Sequence, residues 1–391
     1  MSGAVVTSKT LRLLFLDPIG HGLGAHDAAL CSELSRRGHE VLLGTNDYEL
    51  TADAARGYET WPAYRRVVGP GSRMAKLVRY WKSQRTIIRR ARASKVDAVI
   101  LYYVLEPHLD ALFVKSLKRA GIPVIVCAHD VIPLHRSHDP LGAWRRVYSA
   151  ATRLIAFSRS ACEELTSRHG IDPQRIETTH LGVDHWQDAT ICTRAEARSR
   201  LDLKPEPPMI LCFGQIKRNK SLDVLLSAFE ILLRSHANAR LFVVGRPWHL
   251  DISPILKRSL GPEFGGQVEF RTSWVASEEV PLWFQASDVL VLPYRRLYQS
   301  DVLARACAHA KPVVATAVGN SPEVLTDGET GWIVPPEDPM ALAAALKEAL
   351  DNPSEAQRRG RAAQADLMER FSWRLTADVL ERALLALRQT T

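Results

Sequence analysis

The sequence predicts an α/β protein made of two doubly wound, parallel-sheet domains in tandem. Three observations carry this. Short apolar runs alternate with helix-compatible stretches along the chain. Those runs are continuous rather than alternating, as in strands covered by helices on both faces. The alternation also breaks once, in a turn-rich stretch between Gly182 and Pro208, and then restarts. At 391 residues the chain exceeds the usual extent of one hydrophobic core, so the break reads as a domain boundary.

Taken in order, residues 11–17 (LRLLFLD) form a first strand, followed by a loop carrying Gly20, Gly22 and Gly24. A helix over 26–37 has Leu30 and Leu34 on one face and is closed by Gly38. Residues 40–44 give the second strand. Apolar β runs at 97–102 and 123–128 flank a helix over 108–120, and 154–157 leads to a helix that starts at Ser158. Beyond the boundary, strands are expected at 209–214, 241–245, 268–271, 289–292, 313–316 and 332–334, with a helix over 222–233. The expected domains are 1–186 together with a closing helix over 372–391, and 187–371. Two such sheets face a central cleft with their carboxyl ends.

The apolar fraction of 46% and charged fraction of 24% are those of an ordinary globular protein. No apolar run reaches bilayer-spanning length, and MSGAVVTSKT lacks the pattern of a secretory signal. Six cysteines are scattered without a C-x-x-C pair, which fits reduced thiols in a cytoplasm better than disulfides or a metal site. The net charge of +8 suits phosphorylated small molecules or anionic lipid headgroups. No nucleic-acid-binding signature accompanies it, so nucleic acid is not an expected partner.

Two segments could carry chemistry. Residues 289–331 read as strand, polar turn, helix, strand and glycine turn, with Tyr298, Gln299, Ser300 and Asp301 at the helix start. A polar loop at the carboxyl end of a parallel strand, feeding a helix N-terminus, is where open α/β sheets bind anions. Gly214-Gln215-Ile216-Lys217-Arg218-Asn219-Lys220-Ser221 places three cations in another strand-to-helix turn, a plausible diphosphate cradle. Lys220, nearest the helix, is the expected direct phosphate contact. No D-x-D occurs, so no carboxylate-held metal is expected and side chains with helix ends must neutralise phosphate charge.

The ordered segments FGQIKRNKSLDVLLSAFEILL, ARLFVVGRPW and VPLWFQASDVLVLPYRRLYQSDVLARACAHAKPVVATAVGNSPEVLTDGETGWIVPPEDP resemble the donor half of a retaining glycosyltransferase of family 4, which has the GT-B fold of two Rossmann-like domains. LIAFSRSACEELTSRHGIDPQRIETTHLGVD is similar to that family's approach to the inter-domain link, and FSWRLTADVLERALLAL to its closing helix. The likeness runs from about residue 123 onward. Before that only the first strand, loop and helix are typical.

The resemblance implies transfer of a sugar from a nucleotide-diphosphate donor to a hydroxyl acceptor, with no further cofactor. Lys220 matches the lysine of the donor diphosphate, and Gln299, Ser300 and the backbone of Asp301, Val302 and Leu303 match the donor loop. His129, in CAHD, matches a first-domain histidine facing the donor sugar and is the implied catalytic residue. Gly20, Gly22 and Gly24 would approach the phosphates from the other side, with Gly214 in the donor turn. The family's arginine after that glycine is Gln215 here, so Lys217 or Arg218 would substitute. The family's paired glutamates would fall at Arg296 or Leu297 and at Arg305, neither acidic, although a bacterial branch with a Y-Q-S-G-V-L loop also lacks the second. Asp301 replaces that branch's glycine, and Ser221 the glycine usual after the lysine.

Taken alone, His129 reads more readily as a buried strand-end histidine than as a catalytic one. Glu323 reads as a helix-capping residue or a nucleotide contact, and Glu106 as a possible acceptor contact. Residues 73–95 contain nine cations and no acid, with Met74, Leu77, Val78, Trp81, Ile88 and Ala91 at helical spacing. That segment reads equally as a helix docking on an anionic membrane, where a lipid-linked acceptor would lie, and as a packed helix with solvated cations. The expected place of action is the cytoplasm, up to the inner face of its membrane. Expected roles are polysaccharide or glycolipid assembly. A nucleotide-sugar epimerase and a non-catalytic subunit of the same fold remain as rivals.

Overall fold

The computed structural model describes residues 10–20, 24–46, 57–134, 142–183 and 192–387. They fall into two compact units. One holds the described residues up to Ile132, then 142–182 and those from Ser372 onward; the other holds Pro133, Leu134 and Val183–Phe371. The boundary expected at residue 186 lies outside the described residues.

In chain order the first unit contains β1 (Arg12–Leu16), α1 (Gly24–Arg36), β2 (Glu40–Gly44), β3 (Glu59–Trp61), α2 (Arg73–Ala93), β4 (Ala98–Leu101), α3 (Pro107–Arg119), β5 (Val124–Ala128), α4 (Ala143–Ala150), β6 (Arg153–Ala156), α5 (Arg159–Ser167) and β7 (Ile176–Thr178). Its described strands pair in the order β3-β2-β1-β4-β5-β6-β7, every pair parallel. β4 and β5 are buried at every residue, which is why their sequences are unbroken apolar runs.

The second unit contains α6 (Arg194–Arg200), β8 (Met209–Phe213), α7 (Leu222–Leu233), β9 (Arg240–Val244), α8 (Ser253–Ser259), β10 (Val268–Arg271), α9 (Val280–Ala286), β11 (Val289–Leu292), α10 (Asp301–Ala308), β12 (Val313–Thr316), α11 (Ser321–Val324), β13 (Trp332–Val334), α12 (Pro339–Asp351) and α13 (Pro353–Arg370). Its strand order, β10-β9-β8-β11-β12-β13, is again parallel and reverses direction between β8 and β11. Leu225, Phe229 and Leu346 of α7 and α12 cover one face, and Phe284, Leu303 and Leu367 of α9, α10 and α13 cover the other. α6 starts with a full capping box in which Thr193 and Glu196 satisfy each other's backbone amides.

The last helix, α14 (Trp373–Ala386), returns to the first unit. Trp373, Ala377, Leu380 and Leu384 join Leu11, Leu30 and Leu34 in one core. Arg37 fixes the register by donating to Asp378 at 2.7 Å and Glu381 at 3.0 Å. The backbone needs a glycine at 182, since a Cβ there would stand 2.5 Å from the Trp373 indole.

α2 departs from the expected apolar face. Its buried stripe is Tyr80, Gln84, Ile87 and Ala91, while Met74 is 70% exposed and Val78 and Trp81 are each 44% exposed. The cause is a buried acceptor on α3. Asp110 receives the Tyr80 hydroxyl at 2.5 Å, the Gln84 amide at 2.7 Å, and the Leu105 and Glu106 N–H groups at 3.0 and 2.9 Å. Four donors around one buried carboxyl draw the polar stripe inward, and burial still raises its pKa to about 7. Met74, Val78 and Trp81, spaced along one helix face, are thereby turned outward. Among the described residues no helix is long and apolar enough to cross a membrane.

Candidate active site

The second unit's site is built where β8 and β11 part, the switch point of a doubly wound sheet. After β8 the chain turns at Gly214 with φ +95°, makes a short 3-10 turn over Arg218–Lys220, and enters α7 through Ser221 at φ +45°. Glycine is required at 214. A Cβ there would meet the Val302 methyl at 3.0 Å and the Lys220 ammonium at 3.4 Å. Gly214, Lys220 and the first turn of α10 therefore converge on one spot.

Lys220 is only 4% exposed. Its ammonium donates to the carbonyl of Phe213 and lies 5.4 Å from the Tyr294 ring centroid. Among the described residues no carboxylate forms an ion pair with it. Burying a charge without a counter-charge is costly, which makes this ammonium a candidate contact for an anion.

The surrounding loop is tightly tied down. Arg295 N–H donates to the Asn219 carbonyl at 2.9 Å, and the Asn219 amide returns a bond to the Arg296 carbonyl at 3.0 Å. The Arg295 guanidinium bonds the Ser221 hydroxyl and Glu337 at 3.0 Å each and Asp223 at 3.1 Å. Ser221 thus holds a left-handed conformation that glycine would adopt without strain, anchored through its hydroxyl. Lys217 is half-buried and Arg218 exposed on the same turn.

On the α10 side, the Ser300 hydroxyl accepts the Leu303 N–H at 3.1 Å, so it caps the helix. Asp301 and Val302 supply the remaining first-turn amides, the group that in any α-helix has no intrahelical acceptor. Gln299 is half-buried just before the cap. Glu323 lies in the first turn of α11, whose start is set by Gly319, where a Cβ would be 2.5 Å from the Leu297 carbonyl oxygen. At the two positions expected for the family's glutamates, Arg296 bonds the Tyr298 hydroxyl and stacks at 5.3 Å on its ring. Arg305 is half-buried, its pKa lowered by burial and partly restored by Asp301.

His129 belongs to the first unit, at the carboxyl end of β5 and 5% exposed. Its ring stacks on Phe157 at 4.5 Å and meets Tyr102 edge-on at 4.4 Å. Burial, reinforced by His26 and opposed by a bond involving the Tyr102 backbone, lowers its pKa to about 3. A neutral imidazole here can polarise or accept a proton but carries no charge at physiological pH. Gly20, at φ +65°, follows β1; Gly24 begins α1; Gly22 lies outside the described residues. Glu106 caps no N–H of α3 with its side chain.

Several site residues escaped the sequence reading. Tyr294, Asn219 and Arg295 shape the Lys220 turn, and Asp17 organises the first loop. Asp17 is fully buried, accepts the Ile19 N–H at 2.7 Å, and has a pKa raised by burial against a bond from Asp27. No spacing rule marks these residues. Only the carboxyl-end position of Asp17 and Tyr294, just past apolar strands, offered a signal. No group of three or more metal-ligating side chains occurs among the described residues.

Comparison with known proteins agrees with this architecture. Residues 207–352 match the family described as glycosyl transferases group 1, and residues 20–187 match glycosyltransferase family 4. The D-inositol 3-phosphate glycosyltransferase of Streptomyces avermitilis is 32% identical over 319 residues, covering 76% of this chain and 68% of that protein. The enzyme of the same name from Kineococcus radiotolerans is 33% identical over 397 residues, covering 91% and 88%. Among solved structures, sucrose-phosphate synthase from Thermosynechococcus elongatus is similar at TM-score 0.77 with 19% identity, covering 97% of this chain and 100% of that one. Anabaena HepE, solved with UDP and glucose, is similar at TM-score 0.75 with 17% identity, covering 96% and 100%. At such identities these two likenesses speak for the GT-B fold alone.

Because His129 is held neutral, folding around it becomes less favourable as pH falls from the ordinary histidine range toward 3. In protein labelled with 15N-histidine, the ring signal that disappears in His129→Gln should still be that of a neutral imidazole at about pH 5. A ring at this position titrating near 6.5 would contradict the burial argument.

Proposed function

The chain belongs to the family 4, group 1 glycosyltransferases and is a glycosyl-transfer enzyme, and we propose that it takes a nucleotide-diphosphate sugar and passes the sugar to a hydroxyl with retention of anomeric configuration. One observation carries the donor reading: an almost fully buried ammonium, Lys220, whose bonded partner is a backbone carbonyl, set beside a glycine turn and a helix start. A diphosphate supplies the missing negative charge. Lys217 or Arg218 lies on the same turn to take a second phosphate oxygen, and the first-turn amides of α10 add dipolar stabilisation. Gln299, before the α10 cap, and Glu323, in the first turn of α11, are the further donor contacts in this reading.

Bond cleavage places charge on the leaving diphosphate. Preorganised cations and amides stabilise that charge without reorganising. No side chain is assigned as a covalent nucleophile. Same-face displacement fits this set, the leaving phosphate taking the acceptor's proton while the protein aligns both substrates. His129, neutral and rigidly stacked, is the group proposed to face the transferred sugar. The reaction so described uses no metal and no further cofactor.

For the acceptor, α2 favours a lipid-linked hydroxyl at the cytoplasmic face of a membrane, in polysaccharide or glycolipid assembly. Met74, Val78 and Trp81 are exposed on a helix with no acid in its first turn and a surround of Arg and Lys. The names of the two curated relatives support a second acceptor, D-inositol 3-phosphate.

Lys220→Ala should weaken binding of the donor nucleotide by roughly 1.5–3 kcal/mol, read by calorimetry; unchanged affinity removes the assignment. The full chain should co-sediment with vesicles containing about 30% anionic lipid far more than with neutral ones, and a Met74→Glu/Trp81→Glu variant should lose that difference. Equal sedimentation of variant and parent would leave the soluble acceptor as the reading to pursue.

A further inference from the structure

Asp110 is a fully buried carboxyl that the glycosyl-transfer reading leaves without a part. Its two oxygens serve different elements. Oδ1 accepts the Tyr80 hydroxyl and the Gln84 amide, both on α2. Oδ2 accepts the Leu105 and Glu106 N–H groups, both in the loop between β4 and α3. One carboxylate thus ties a helix to a loop that is distant from it in sequence.

An apolar contact would join α2 to α3 with less desolvation, since a buried charge is rarely the most stable choice. A neutral amide would be no substitute, because its NH2 would face donors on one side. A carboxylate satisfies both sides at once and so fixes the register of the loop against the helix. Tyr80 extends the tie. Its ring stacks on Tyr64 at 5.6 Å, and the Tyr64 N–H donates to the Thr45 carbonyl, just past β2, at 3.0 Å.

The loop held by Oδ2 also walls the His129 ring. Tyr102, the first residue after β4, donates its N–H to the Leu16 carbonyl at 2.9 Å and meets His129 edge-on at 4.4 Å. Tyr103 lies beside the same ring, with centroids 6.0 Å apart and planes 30° from parallel. Leu105 follows Tyr103 by two residues. A displacement at Leu105 and Glu106 therefore reaches His129 through a short run of backbone, and α2 reaches it through Asp110.

We propose that Asp110 is a positioning residue of the glycosyl-transfer site, tying α2 to the loop after β4 so that the Tyr103 ring is kept against the His129 imidazole. The inference rests on the reading in which His129 faces the transferred sugar. Asp110 touches no reacting group and acts through the loop alone. The exposed stripe of α2 and the surroundings of His129 then move as one unit.

The test uses the full chain labelled with 15N-histidine, at pH 8, because burial raises the Asp110 pKa to about 7 and the carboxylate form is needed. Two readouts are followed: the His129 ring signal, identified by its loss in His129→Gln, and hydrogen exchange of the Leu105 and Glu106 amides. Asp110→Leu removes both oxygens and keeps the volume filled. Tyr80→Phe/Gln84→Leu cuts the α2 side and leaves the carboxyl in place. Asp110→Leu should speed exchange at the two amides by about tenfold or more, the loss of charge-assisted bonds. Both variants should displace the His129 ring signal, although neither substitution touches that ring. A ring signal unmoved in the α2 variant overturns the proposal, since Asp110 would then hold the loop without α2. Unchanged exchange in Asp110→Leu overturns it as well. Should that variant fail to fold, the α2 variant decides alone. Neither readout needs a donor or an acceptor, so failure of this link is seen separately from failure of the glycosyl-transfer reading, which nucleotide titration of Lys220→Ala addresses.

Discussion

The second unit depends on two strands ending close enough for their backbones to touch. At Gly245 there is no room for a side chain, because the Gly214 carbonyl oxygen occupies the place a Cβ would take. That contact lets the segment after β9 lie along the phosphate turn, and Gly214 itself leaves space for Val302 and the Lys220 ammonium. Remove either vacancy and the turn, the buried lysine and the start of α10 can no longer share one point. The loop after β11 closes the arrangement from the other side, through the reciprocal bonds between Asn219 and residues 295 and 296 and through the Arg295 network.

At the positions where the family resemblance leads to an expectation of glutamates, the chain carries arginines. Arg296 is folded onto Tyr298, and Arg305 is half-buried near Asp301. Neither position carries a negative charge. A more positive cradle favours phosphate charge by Coulomb attraction. The first unit contributes a contrasting environment, in which His129 is aromatic-lined and neutral and Asp17 is buried against the backbone of the first loop. The buried ammonium of Lys220 and the neutral, ring-packed imidazole of His129 thus belong to separate sheets.

Much of this was legible in the residues. Continuous apolar strands, the glycine and lysine of the 214–221 turn and the serine that caps α10 all follow from local rules: burial on both faces, φ above zero, and an orphan N–H to satisfy. The strand limits 268–271, 289–292, 313–316 and 332–334 coincide with the structure. What could not be read was side-chain fate set by distant partners. The helix at 73–95 looked apolar on the wrong stripe, because Asp110 on α3 claims Tyr80 and Gln84. Lys220 is the expected phosphate contact, but its enclosure and its bond to a carbonyl seven residues back carry no mark in the sequence. Both depend on tertiary contacts that hydrophobic periodicity does not encode.

The most direct measurement is a crystal structure of the chain bound to whichever nucleoside diphosphate it takes up. The account predicts a phosphate oxygen within hydrogen-bonding distance of the Lys220 ammonium and near the first-turn amides of α10. A well-ordered nucleotide whose phosphates lie away from the β8 turn, with Lys220 still satisfied by Phe213 alone, would contradict it.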